Sequence, residues 1–308
     1  ATVYGSMIFP DFESGVACMH EVAMKKCAPV SIRLVDNLQF QFGQALKPEV
    51  KNIYEHLLGK AKKWYVTQHL KFDPEKILSL ITDKTRLLIL INPNNPTGSF
   101  VEKSAIDVLA EGLKKHPHVA ILSDEIYSRQ IYDGKEMPTF FNYPDLQDRL
   151  IVLDGWSKAY AMTGWRMGWS VWPEELIPHV NRLIINSVSC VNAPSQFAGI
   201  AALDGPDDAI HEMMVKFDQR RKLIHEGLNS LPGVECSLPG GAFYAFPKVI
   251  GTGMNGSEFA KKCMHEAGVA IVPGTAFGKT CQDYVRFSYA ASQDNISNAL
   301  ENIKKMLG

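Results

Sequence analysis

The sequence has no long hydrophobic run and no excess of one charge. It contains nothing near the roughly 18 uninterrupted apolar residues that a membrane-spanning helix needs. Its 32 basic and 33 acidic residues leave a formal net charge of −1, which gives no reason to expect a nucleic acid or an anionic membrane as partner. A small-molecule ligand is therefore the better hypothesis.

Paired cysteine spacings, a secretory signal and metal-ligand spacings are also missing. The six cysteines show no C-x-x-C pattern in a chain of 308 residues, so we interpret them as reduced thiols. The first ten residues contain neither a basic nor a long apolar segment, which predicts a cytoplasmic protein. Four His-Glu pairs occur, but none has a second histidine four positions after the first, so we predict no metal site.

Apolar runs rich in β-formers alternate with helical patterns in the first two thirds of the chain. The runs predict strands at 86–91, 119–122, 150–153 and 167–172, with a helix near 102–115 between the first two. Several runs are continuously apolar, as expected for strands that are buried on both faces. The pattern therefore predicts an α/β fold with a mostly parallel sheet.

A turn-forming stretch at 204–208 suggests a domain boundary, with a large domain at 1–203 and a smaller α+β domain at 204–308. In the smaller domain, strands are predicted at 234–237, 242–246, 269–272 and 284–288. Helices are predicted near 257–267 and 293–306, with Ser257 and Asp294 as caps. Residues 43–70 read as a helical insertion on the surface of the large domain.

Polar residues follow three of the predicted parallel strands, where α/β sheets bind their ligands. Asp124 ends the second strand, and a buried carboxylate there requires a cationic or donating partner. Lys158 follows a strand and a glycine, where a partly desolvated amine has a lowered pKa and can attack a carbonyl carbon. Singly, each has a plain alternative: a helix cap for Asp124, a surface lysine for Lys158 and a turn residue for Asn95.

Taken together, these segments resemble the class I/II aminotransferases of PLP fold type I, and aspartate aminotransferases in particular. The resemblance covers most of the chain from about residue 80 onward, with a shorter match, FPDFES, at 9–14. Its segments, in chain order, are NNPTG at 94–98, SDEIY at 123–127, SKAYAMTGWRMG at 157–168, PGGAFYAFP at 239–247, VPGTAFG at 272–278 and VRFSYA at 285–290. The fold implied is the PLP-dependent transferase fold type I, with a mostly parallel large domain and a smaller α+β C-terminal domain.

The resemblance implies the cofactor pyridoxal 5′-phosphate and a role for each matching residue. Lys158 would form the Schiff base with the cofactor and carry a proton at the substrate α-carbon. Asp124 would pair with the protonated ring nitrogen. Asn95 and Tyr127 would hydrogen-bond the phenolic oxygen of the ring.

Other residues would hold the cofactor phosphate, its ring face and the substrate. Arg166 and Ser157 would bind the phosphate, and Phe9 would stack on the ring. Arg286, with Asn95, would bind the substrate α-carboxylate. The family also implies a homodimer that moves an amino group between an L-amino acid, aspartate or a broader set, and a 2-oxo acid such as 2-oxoglutarate.

The sequence departs from the family pattern in three ways that keep alternatives open, one of which is the insertion at 43–70. Nothing matches the family's N-terminal turn around the phosphate, so we expect the N-terminal part of the large domain to be lacking. Gly155 stands where the family often has serine, three residues before the lysine. A PLP-dependent C–S lyase would use the same lysine, and a non-catalytic aminotransferase-like protein or fragment could keep the fold.

Overall fold

A computed structural model describes residues 72–308 of the chain. All described residues belong to one compact unit, Val66–Gly308. Phe9 and the segment 43–70 lie outside the described residues, so their predicted roles stay predictions.

The first sheet has four strands in the order β1-β2-β3-β4. They are β1 (Leu87–Ile91), β2 (Ala120–Asp124), β3 (Leu150–Gly155) and β4 (Gly168–Val171). The first three pair in parallel and β4 pairs antiparallel with β3. The mostly parallel sheet predicted from the apolar runs is therefore confirmed, and each predicted strand lies within three residues of the observed one.

Helices precede, connect and follow these strands. They are α1 (Pro74–Ser79), α2 (Lys103–Leu113), α3 (Trp156–Ala159), α4 (Ile177–Ser187) and α5 (Ala193–Asp204). Helix α2 buries Ile106, Leu109, Ala110 and Leu113, whose spacing of three and four residues places them on one face. This helix forms the crossover that lets β1 and β2 run in parallel.

A smaller antiparallel sheet and three helices form the C-terminal part. The elements are α6 (Asp208–Asn229), β5 (Tyr244–Ala245), α7 (Gly256–Lys262), β6 (Val272–Pro273), β7 (Val285–Ser288) and α8 (Gln293–Leu307). Strand β7 is central, in the order β5-β7-β6. Apolar residues of α6, α7, α8 and this sheet share one core, with Phe259, Leu228 and Ile303 fully buried. The predicted domain boundary at 203/204 falls at the end of α5 and stays a prediction.

Three local predictions for this part were wrong. Residues 234–237 form no strand and make a single bridge, between Glu235 and Lys248. Helix α7 is capped by Asn255 rather than Ser257, because the Asn255 side chain accepts from two backbone N–H groups and Glu258 closes the capping box. Helix α8 is capped by Ser292 rather than Asp294.

Membrane-spanning helices, metal sites and cysteine pairing can each be checked for residues 72–308. Between residues 72 and 308, no helix combines the length and apolar character needed to cross a bilayer. The same residues contain no group of three side chains suited to a metal ion. The four cysteines described there are free, as expected for reduced thiols.

Candidate active site

The carboxyl ends of β1, β2 and β3 meet at one edge of the sheet. The Asn92 amide donates to the Asp124 carbonyl oxygen at 3.1 Å, and the Glu125 amide donates to that of Leu153 at 2.8 Å. The loops that carry the predicted site residues therefore leave the sheet side by side, as in other open α/β sheets that bind ligands at this edge.

Lys158 lies half-buried on α3, one short turn after β3. Its Nζ atom is 5.6 Å from the ring centre of Phe243 and 6.0 Å from that of Tyr127. Burial lowers the pKa of the lysine, and the positive charges of Arg166 and Arg286 lower it further. A lowered pKa increases the fraction of neutral amine, which is the nucleophilic form.

Asp124 ends β2 as a half-buried carboxylate. One of its oxygens accepts a hydrogen bond from the Ile126 amide at 3.2 Å. Burial nevertheless raises the pKa of Asp124. The neighbouring Asp154 carboxyl has a raised pKa for the same reason, with the Asp124 charge adding to the effect. A cationic ligand group at this position would relieve the cost of burying these charges.

Arg286 reaches the same site from β7 in the small sheet. Its Nη1 donates to Oδ1 of Asn95 at 2.8 Å, across 191 positions of sequence. The guanidinium carbon lies 4.6 Å from the Tyr244 ring centre and 5.0 Å from that of Phe277. Its buried Nε atom has no hydrogen-bond partner among the described residues. Donors therefore remain for an anionic ligand, which suits bidentate binding of a carboxylate.

Tyr127 is buried, and its hydroxyl lies at the centre of the polar network. It is 3.0 Å from the Tyr244 hydroxyl and is also hydrogen-bonded by the Asn95 side chain. Burial raises the pKa of the phenol, and either hydroxyl of the Tyr127–Tyr244 pair can be the donor. Tyr127 therefore remains a neutral hydroxyl that can donate to a ligand.

Gly98 fixes the loop that carries Asn95 against the small sheet. Its carbonyl oxygen accepts from the Gly240 and Gly241 amides at 2.8 and 3.0 Å. Gly98 has φ +66°, and an added Cβ would overlap the Tyr244 carbonyl oxygen. A residue without a side chain is needed here, both for the left-handed backbone and for the close approach.

Arg166 and Ser157 are the two residues predicted to bind the phosphate. Arg166 has a left-handed backbone conformation, is exposed, and donates from Nη1 to the Thr163 carbonyl oxygen at 2.9 Å. Ser157 precedes Lys158 on α3 and is half-buried. Its hydroxyl makes no hydrogen bond to any residue in the described part of the chain. Their contact with phosphate stays a prediction.

Close packing against β4 explains why Gly155 departs from the family pattern. Gly155 pairs with Gly168 of the antiparallel strand β4. A Cβ at Gly155 would lie 2.8 Å from the Gly168 Cα atom and 2.9 Å from the Met167 carbonyl oxygen. The serine expected from the resemblance would therefore push the two strands apart.

The structure thus brings four predicted residues into contact or close proximity: Asn95, Tyr127, Lys158 and Arg286. Sequence reasoning assigned no role to Tyr244 or Phe243, which lie among them. The only signal was their place in PGGAFYAFP, where alternating aromatic residues read as an ordinary strand.

An α/β protein with a desolvated lysine at its strand ends, a buried carboxylate and an anion-binding arginine is suited to carbonyl chemistry on substrates that carry a carboxylate. The profile of the family described as "Aminotransferase class I and II" matches residues 51–303. The chain belongs to this family.

Curated relatives and solved structures agree with the assignment. The aspartate aminotransferase of Rhizobium meliloti is 39% identical over 240 residues, which cover 74% of this chain and 58% of that protein. The aspartate aminotransferase of Pyrococcus horikoshii is 37% identical over 238 residues, which cover 76% of this chain and 60% of that protein. The crystal structure of an aromatic aminotransferase from Pyrococcus horikoshii matches with a TM-score of 0.74 at 34% identity, over 77% of this chain and 64% of that one.

The fold expected from the resemblance, PLP-dependent transferase fold type I, is confirmed by these matches. The chain spans about 60% of the length of the curated relatives that it matches. A second profile, described as "FAD linked oxidases, C-terminal domain", matches residues 1–78. Phe9 lies within this second match and outside the first, and its stacking role stays a prediction.

Proposed function

We propose that this chain is a pyridoxal 5′-phosphate-dependent aminotransferase that exchanges the amino group of an L-amino acid for the keto oxygen of a 2-oxo acid such as 2-oxoglutarate. The observation that carries the proposal is the position of Lys158. Its amine is desolvated, is influenced by the charges of two arginines, and lies near the tyrosine that hydrogen-bonds Asn95.

The residues present fit this cofactor. Asp124 is a desolvated carboxylate without a cationic partner among residues 72–308, and a protonated ring nitrogen would supply one. Lys158 is the amine that would bond to the cofactor aldehyde, and Arg166 is a cation available to the phosphate. When bound, the cofactor would supply an electron sink for the negative charge that develops at the substrate α-carbon.

The chain's own residues would bind and orient the substrate. Arg286 would bind the α-carboxylate, because its buried Nε has no partner in the described part of the chain and its guanidinium is held in place by Asn95. Phe277 and Tyr244 lie against this guanidinium and shield it from water, which strengthens its attraction for an anion.

Lys158 would also move the proton. A base that works near neutral pH needs a pKa below that of a free lysine, and burial, together with the two arginine charges, lowers the pKa of Lys158. Its Nζ could take the proton from the substrate α-carbon and return it during the second half of the exchange.

A keto-acid-dependent transfer assay tests the proposal. Purified protein loaded with pyridoxal 5′-phosphate is given aspartate or an aromatic amino acid as donor and 2-oxoglutarate as acceptor. We expect glutamate to form, to depend on both substrates, and to disappear in Lys158→Ala but not in Lys216→Ala, a lysine outside this site.

Two other outcomes would replace the proposal. Release of pyruvate and ammonia from a cysteine conjugate, without transfer to 2-oxoglutarate, would show a C–S lyase instead. Binding of the cofactor without either reaction would show a non-catalytic relative.

We also propose that the chain works as a homodimer in the cytoplasm. Apolar side chains of α4, of its C-cap Val188 and of α5 are exposed, with Phe197 at 75% and Leu183 and Val188 each at 69%. Exposed apolar patches of this kind mark surfaces that another polypeptide covers. The free cysteines are consistent with a reducing compartment. Sedimentation of the purified chain at two concentrations tests the oligomeric state.

A further inference from the structure

Tyr244 touches two parts of the site that have separate tasks. Its hydroxyl is 3.0 Å from the hydroxyl of Tyr127, the residue expected to donate to the cofactor. Its ring lies 4.6 Å below the guanidinium of Arg286, the residue expected to bind the substrate carboxylate. The side chain is buried, with 6% of its surface exposed, so both contacts are shielded from water.

The two contacts close a ring of four side chains. Arg286 donates to Oδ1 of Asn95, which leaves the Asn95 amide nitrogen to donate to the Tyr127 hydroxyl. The Tyr127 hydroxyl pairs with that of Tyr244, and the Tyr244 ring packs against the Arg286 guanidinium. A shift of any member therefore alters the position of the others.

Resting on the proposed function, we propose that Tyr244 is a positioning residue that couples the hydrogen bond given by Tyr127 to the carboxylate-binding geometry of Arg286. In this arrangement Tyr244 donates to the Tyr127 oxygen. Tyr127, which then accepts from both Asn95 and Tyr244, keeps its own proton for a bound ligand.

The two contacts involve different parts of Tyr244 and can be removed separately. Tyr244→Phe removes the hydroxyl and keeps the ring under Arg286. Tyr244→Leu removes both the hydroxyl and the aromatic face. The readouts are the pH midpoint of the visible absorbance of protein loaded with pyridoxal 5′-phosphate and the KM for the amino acid.

In Tyr244→Phe, we expect the spectral midpoint to rise by roughly 0.5–1 pH unit, because Tyr127 becomes a weaker donor to the phenolic oxygen of the cofactor. The KM should stay within about twofold. In Tyr244→Leu, the midpoint should rise similarly, and loss of the cation–π contact should raise the KM roughly five- to thirtyfold.

Tyr289→Phe is the matched control. The Tyr289 hydroxyl pairs with that of Tyr132 at 3.1 Å and is fully buried, but it touches none of the four ring members. This variant loses a buried hydroxyl that pairs with Tyr132 and also donates to the Ala242 carbonyl oxygen at 3.1 Å, so a purely structural effect of losing a buried hydroxyl would appear in it too. We expect its spectral midpoint and KM to match those of the wild type.

Each outcome decides between the two proposals. A wild-type chain that binds the cofactor, with Tyr244→Phe showing an unchanged or lowered midpoint, overturns the role of Tyr244 alone. An equal KM in Tyr244→Phe and Tyr244→Leu also overturns it. A wild-type chain that develops no visible band with the cofactor overturns the proposed function, and with it the role of Tyr244.

Discussion

Arg221 holds helix α6 to the loop that leads into β5, and its replacement by methionine should destabilise the whole unit. The side chain is 1% exposed, and its two terminal nitrogens donate to both oxygens of Asp133, at 2.6 and 2.9 Å. It also donates to the Pro239 carbonyl oxygen at 3.0 Å and lies 2.7 Å from Oδ1 of Asp218. Methionine keeps an unbranched apolar side chain, is shorter than arginine, and removes every one of these contacts.

The expected loss of unfolding free energy depends on the polar groups that lose Arg221 as their partner. Removing one partner of a fully buried ion pair costs about 3–5 kcal/mol. Here the Asp133 side chain is 50% exposed and can be rehydrated, so the loss is smaller. The Pro239 carbonyl loses a charge-assisted hydrogen bond, which is worth about 1.5–3 kcal/mol. We expect the free energy of unfolding to fall by about 2–4 kcal/mol.

Urea unfolding followed by fluorescence measures this change, with Arg220→Met as the control. Arg220 is the preceding residue and contacts the Phe217 ring at 5.5 Å, so its loss should cost about 1 kcal/mol or less. A loss of unfolding free energy under about 0.5 kcal/mol in Arg221→Met, or an equal loss in both variants, would show that Arg221 does not hold α6 to this loop.

The same pair predicts a pH dependence. The Arg221 guanidinium lowers the pKa of Asp133 below its ordinary value. A carboxylate with a lowered native pKa contributes stability above its unfolded pKa of about 4, and this contribution is lost as the pH falls through the native pKa. The difference in stability between wild type and Arg221→Met should therefore narrow below about pH 4.

Two further substitutions test the site and the strand that supports it. Asn95→Ala removes the acceptor of Arg286 and should raise the KM for the amino acid about tenfold, the value of one charge-assisted hydrogen bond; an unchanged KM would show that Asn95 does not orient Arg286. Gly155→Ser should lower the free energy of unfolding by about 1–3 kcal/mol because its Cβ would meet Gly168, whereas Gly164→Ser, with no atom within 4 Å of the added Cβ, should have little effect. Equal urea midpoints for the two glycine variants would contradict the close approach of β3 and β4.

The sequence predicts the parts of this fold that depend on local pattern. Strands β1 and β2 could be located because their apolar runs are continuous, and the residues after them could be assigned to one edge because parallel strands end together. The cap of α7 was misplaced by two residues, since Asn255 and Ser257 are both good caps and only the side-chain geometry of Glu258 decides between them.

The role of Tyr244 could not be predicted because it depends on contacts between distant segments. Strand β5 has two residues, and an aromatic residue in it is as consistent with the core as with a site. Its orientation is set by pairing with β7, which places Tyr244 opposite Ser288 and brings its ring under Arg286. Gly155 is similar, because β4, the antiparallel partner of β3, leaves no room for a side chain at this position.

Borohydride trapping identifies the lysine that bonds to the cofactor. The chain is loaded with pyridoxal 5′-phosphate, reduced with borohydride to make the bond permanent, digested, and mapped by mass spectrometry. We expect the cofactor mass on the peptide that contains Lys158. A cofactor distributed over surface lysines, or found on another single lysine, would contradict this expectation.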